Sequence, residues 1–142
     1  MKRKRQRPKL GDVFSIPLPN GTYAFGRLHE KGRLAIYKER SSNMDKIPGS
    51  NEYEFFVTVY RYVLTDGEWV RIGNIPFEHD DEAVGPPFSY IKDSIDGRFF
   101  LYENESGKMY PATEEQCEGL EVAAVWDRLH VIDRLMGTKK WL

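Results

Sequence analysis

The sequence predicts an α+β fold that is mainly antiparallel β: a curved sheet or partly open β-barrel with one or two C-terminal helices. Three observations point there. The 142 residues hold 8 Tyr, 8 Phe and 3 Trp, side chains that favour strands and supply a genuine core. Short aromatic and β-branched runs recur between turn dipeptides such as Asn20-Gly21, Asp66-Gly67 and Asp96-Gly97. Helical spacing is confined to the last third of the chain.

The first hairpin organises the rest. Two apolar runs flank Asn20-Gly21, and Asn and Gly tolerate the positive φ that a tight hairpin turn requires. A two-residue turn sets Leu18 opposite Tyr23, Ile16 opposite Phe25 and Phe14 opposite Arg27. Leu18, Ile16, Tyr23 and Phe25 then share one buried face. Pro17 and Pro19 cannot donate to a ladder, so this strand is expected to be an edge on at least one side. Gly26 suggests a bulge or a close backbone approach.

Arg33–Tyr37 reads as a short strand, and residues 40–52 as a long loop. Tyr53–Leu64 is the strongest strand, aromatic or β-branched on both faces. Asp66-Gly67 turns it into Trp69–Gly73, a register that pairs Tyr62 with Arg71 as a cation over a ring. Residues 76–87 form an acidic loop, and 88–95, 98–102 and 109–111 are further strands. Thr113-Glu-Glu-Gln116 is a capping box that opens a short helix, with Gly119 placed to stop it. Leu120–Trp126 reads as a last strand. Asp127 caps a helix over Arg128–Met136, with an apolar stripe of Leu129, Ile132, Leu135 and Met136 and a stop at Gly137. Trp141 is either folded back on the body or free to anchor a partner.

The domain reading is a flexible basic arm over residues 1–9 and a single domain over 10–142. Lys2, Arg3, Lys4, Arg5, Arg7 and Lys9 precede every acid in the chain. From Asp12 onward, 15 Lys and Arg face all 22 Asp and Glu, a net of −7. An acidic body attracts a basic partner and speeds encounter with it, although ordinary solubility asks for a similar charge. The arm reads first as a solvated terminus and second as a nonspecific contact to nucleic-acid phosphates.

Several function classes drop out. No apolar run is long enough to cross a bilayer, and no hydrophobic segment follows the basic N-terminus. The single cysteine, Cys117, allows neither an internal disulfide nor a cysteine zinc site, which fits a reducing cytoplasm. Neither Cys117 with a distant His nor His79 with its neighbouring acids forms a recognisable catalytic constellation, so no catalytic residue is assigned and no enzyme is expected. Contiguous acids such as Glu78, Asp80, Asp81 and Glu82 seldom converge on one ion, so no metal or cofactor is assigned. The acidic loop reads as solvated by default, and next as an electrostatic contact for a basic partner.

Three segments resemble the bacterial immunity protein 26 family. They are Gly11–Arg27, Trp69–Phe77 and Gly119–Leu135, and the resemblance as a whole covers roughly residues 9–136. The resemblance implies a cytoplasmic protein that binds a cognate polymorphic toxin and blocks it, nucleases being common among such toxins. The matching positions Phe14, Pro17, Gly21, Tyr23, Gly26 and Trp126 are turn and core residues, and the family supplies no catalytic motif. With the acidic body, this selects Glu78, Asp80, Asp81 and Glu82, with Asp66 and Glu68 at a neighbouring turn, as contacts for a basic toxin domain. The alternative reading is a small nucleic-acid-binding module that uses the N-terminal arm, with exposed Tyr or Arg stacking on bases.

Overall fold

The structure is a computed structural model that describes residues 5–137. The chain forms two compact units, Met1–Gly85 with Val125–Leu142, and Pro86–Ala124. The first unit holds a six-stranded sheet in the order β5-β1-β2-β3-β4-β9. Its strands are β1 (Asp12–Pro17), β2 (Tyr23–Leu28), β3 (Arg33–Tyr37), β4 (Tyr53–Val59), β5 (Val70–Asn74) and β9 (Val125–Trp126). All neighbours are antiparallel except β4 and β9. The sheet is open, with β5 and β9 at its two ends. The second unit is an antiparallel sheet of β6 (Phe88–Lys92), β7 (Phe99–Glu103) and β8 (Met109–Ala112). The α+β reading therefore holds, as a mixed sheet and a smaller sheet rather than a closed barrel.

Both faces of the six-stranded sheet are covered. On one face Phe14, Ile16, Ala24, Leu28, Leu34, Ile36, Phe55, Val57 and Val59 pack with Val63 and Leu64 of α1 (Arg61–Thr65) and Val131 of α2 (Arg128–Leu135). Leu18, Trp69 and Trp126 complete that cluster. On the other face Val13, Phe25 and Tyr37 pack with Tyr23, Tyr53, Ile72 and Ile75. Gly26 lies under Leu34, and a Cβ there would come within 2.6 Å of the Leu34 side chain. The close approach expected at this glycine is what the fold requires.

The hairpin is where expected, but its register is shifted by one. Ile16 pairs with Ala24, Ser15 with Phe25 and Val13 with Arg27. Gly21 alone takes positive φ (+85°), and its N–H donates to Leu18 O at 3.1 Å. Leu18 N–H donates to Thr22 O at 2.9 Å, leaving a three-residue loop. Pro19 at the first corner and a left-handed glycine at the end fit a type I turn with a glycine bulge. Because side chains alternate, the one-residue slip puts Tyr23, Phe25 and Arg27 on the face opposite Ile16. Nor is β1 an edge. Its residues 12–15 pair with β5, and Pro17 lies just beyond that ladder.

Other expectations are corrected in the same region. Tyr53–Leu64 is not one strand, because β4 ends at Val59 and α1 follows. Tyr62 and Arg71 are not cross-strand partners, since Arg71 pairs with Phe14. Of Leu120–Trp126 only Val125–Trp126 is strand, because the chain passes from one unit to the other before Val125. The capping box forms reciprocally, Thr113 N–H to Gln116 Oε1 at 2.9 Å and Gln116 N–H to Thr113 Oγ at 3.2 Å, but opens a 3₁₀ turn only. In α2 the buried side is Arg128 and Val131 with Ile132 and Leu135, while Leu129 is 64% exposed. Trp141 and residues 1–4 lie outside the described residues.

Candidate functional site

Two buried arginines hold the acidic loop at its ends. Arg27 of β2 faces away from the main core and donates to Ile75 O (2.6 Å from Nη2) and Pro76 O (3.0 Å). Its Nη1 donates to Tyr53 Oη at 3.1 Å, and the guanidinium lies 3.8 Å from the Phe77 ring centroid. A buried cation needs several acceptors, and backbone carbonyls together with an aromatic face supply them here. Arg33 of β3 is also buried and donates to Val84 O at the far end of the loop.

His29 completes the support. Its ring meets Phe77, Phe56 and Tyr53 edge to face at 4.8, 5.0 and 5.7 Å. Nδ1 lies 3.1 Å from Arg27 O, and a carbonyl acceptor places the proton on Nδ1. Burial lowers the His29 pKa, and the positive charges of Arg27 and Arg33 add to that. The ring is therefore neutral packing beneath the loop. Sequence reasoning missed this support. Arg27, near the end of β2, and His29, just past it, alternate with Leu28, and one slip in register hid which face they occupy.

Between these anchors Asp80–Ala83 forms a 3₁₀ turn that buries Ala83. Glu78, Asp80, Asp81 and Glu82 are all exposed. Glu78, His79 and Glu82 bring one ligand atom each within 4.8 Å of one another, but exposed acids commonly do so without an ion. Asp66 and Glu68 sit elsewhere, between α1 and β5, and both pair with Arg128 at the start of α2. Arg128 is itself buried, so these two carboxylates already have a structural task. Cys117 is buried with its Sγ 3.9 Å from Phe100 O, a packed position.

Charge is divided unevenly between the units. Residues 86–124 carry 3 Lys and Arg against 8 Asp and Glu, a net of −5. The remaining residues carry 18 against 14, a net of +4.

A family model described as Immunity protein 26 matches residues 9–101, well over half of the chain. The chain belongs to the immunity protein 26 family. That membership makes it an immunity protein of toxin systems. No curated protein and no solved structure matches it. The match takes in β1 to β5, both anchoring arginines and the whole acidic loop. Within the described residues, no helix of this immunity protein is long and apolar enough to cross a membrane.

Proposed function

We propose that this immunity protein acts in the cytoplasm by binding the catalytic domain of a cognate toxin and blocking it, without chemistry of its own. The family match carries the reading. The acidic loop supports its finer part, a basic toxin domain such as a nuclease with a positively charged substrate cleft. Glu78, Asp80, Asp81 and Glu82 are exposed and project from a segment fixed at both ends by Arg27 and Arg33. Pre-ordered charge speeds encounter and loses little entropy on docking. Asp66 and Glu68 contribute at the rim to the extent that Arg128 releases them.

The test is coexpression with the toxin domain encoded beside this gene. Wild type is expected to restore growth. Replacing Glu78, Asp80, Asp81 and Glu82 together by Lys should slow association with the purified toxin by about tenfold or more at low salt, with a smaller effect at high salt. Growth arrest that the wild-type protein fails to relieve overturns the toxin reading. Neutralisation with an unchanged association rate in the quadruple variant moves the contact away from this loop.

A further inference from the structure

A second surface has the opposite character. Gln6 is clamped into the first unit. Its backbone N–H donates to Thr65 O at 2.9 Å, and Nε2 donates to Leu64 O and Trp69 O at 3.2 and 3.0 Å. Its Oε1 accepts from Arg71 N–H at 2.8 Å. With Gln6 turned inward, Arg5 and Arg7 are left exposed on either side. Together with Arg61, Tyr62 and Thr65 of α1 they line a groove of about 640 Å³. Beside it the rings of Tyr60 and Tyr62 stack at 6.3 Å and 25°, each about half exposed (50% and 48%).

The nearby acids are already engaged. Asp66 and Glu68 pair with Arg128. Asp127 accepts from Tyr62 Oη and from Arg128 N–H. Among the described residues, Arg5, Arg7 and Arg61 make no ion pair. Three guanidinium groups without an ion pair among the described residues thus border one groove.

We propose that this groove binds single-stranded nucleic acid, with Arg5, Arg7 and Arg61 on consecutive phosphates and a base stacked on Tyr60. The arginines alone would suit any polyanion. The exposed tyrosine pair selects nucleic acid, because an aromatic platform adds attraction for an unpaired base and little for a carboxylate chain. Stacking also requires an unpaired strand. The proposal does not rest on the toxin reading, since it invokes different residues and a different ligand.

Fluorescence anisotropy of the full chain with a fluorescein-labelled 12-mer of oligo(U) or oligo(dT) tests it. Three phosphate contacts predict a log–log salt slope of about −2, so binding should weaken roughly fifteen- to twentyfold between 50 and 200 mM salt. Arg61→Ala should make that slope shallower by about 0.7. Tyr60→Ala should weaken binding about tenfold with the slope unchanged. Arg98→Ala, an exposed cation in the other unit, should change neither. Both test residues are exposed, and circular dichroism confirms that the variants fold. No binding at 50 mM salt overturns the proposal, as does binding that Arg61→Ala and Tyr60→Ala leave unchanged. Displacement by octaglutamate as effective as by unlabelled oligonucleotide also overturns it, in favour of an acidic polypeptide. None of these outcomes alters the coexpression result, so the two readings fail separately.

Discussion

Arg27 shows how one side chain links the sheet to the candidate site. It is buried on β2, yet its acceptors are carbonyls of the segment that leads into the acidic loop. His29, two residues on, lies on the same side and packs against Phe77. This ring gives a pH prediction with a definite sign. Its folded pKa is lowered from 6.5, chiefly by burial, so the unfolded chain takes up the proton first as pH falls. The stabilisation is therefore complete above about pH 6.5 and is lost as pH drops below it. Urea unfolding of the wild type at pH 7.5, 6.5 and 5.5 should show falling stability, with a slope from this group of at most about 1.4 kcal/mol per pH unit. His29→Phe should lose that component of the slope. An identical pH profile in the variant would show that His29 is protonated alike in both states. Asp127 shifts in the same direction, so its contribution is also lost as pH falls, in the more acidic carboxylate range. The Tyr62 hydroxyl and the Arg128 N–H hold its pKa down, and the Arg128 N–H contact also caps α2.

Elements were legible where local chemistry alone decides them. The Asn20-Gly21 turn, β3, the Thr113–Gln116 box and the Asp127 cap each follow from a few neighbouring residues. Register was not legible, because Asn-Gly signals two hairpin loops and Pro19 tips the choice to the longer one. The break after Val59 was hidden for a different reason. Tyr60–Leu64 continues the run with Tyr60, Tyr62 and Val63, and composition cannot separate a short half-buried helix from a continuing strand. The deciding contacts are tertiary. Tyr60 N–H donates to Trp126 O at 3.2 Å, and Val63 and Leu64 join the core with Trp69. The Gln6 clamp and the pairing of Arg128 with Asp66 and Glu68 span about sixty positions each, beyond any local signal. Gly26 offers a test of how tightly the elements pack. Gly26→Ala drives a methyl into Leu34, which is itself fully buried, and overpacking of this kind costs about 1–3 kcal/mol. In a double-mutant cycle, Leu34→Ala should relieve that cost, so the pair should be less destabilised than the sum of the singles by about 1 kcal/mol. Simple additivity would mean that the sheet has slack at this crossing.

At the scale of the whole chain, two asymmetries run together. The net charge of −1 hides an acidic segment of −5 and a remainder of +4. Counting acids along the sequence showed an acidic body but not where the acids gather, because that depends on the chain leaving the first unit at Gly85 and returning at Val125. Burial divides along the same boundary. The first unit buries Trp69, Tyr37, Phe14 and Phe25 completely, whereas the residues of Pro86–Ala124 that are buried are Ser89 and Cys117. Segments with few buried apolar side chains open at lower free energy than the core they adjoin. Amide hydrogen exchange of the intact protein should therefore find β6, β7 and β8 exchanging at least about tenfold faster than β1 to β4 at neutral pH. Uniform protection across both sheets would show that the three-stranded unit shares the cooperative opening of the six-stranded one. If the protection does divide, the acidic sheet can yield locally while the first unit, which carries the loop between Arg27 and Arg33, keeps its shape. Under the proposed function, a surface charged and fixed before its partner arrives would speed encounter with a toxin domain of opposite charge.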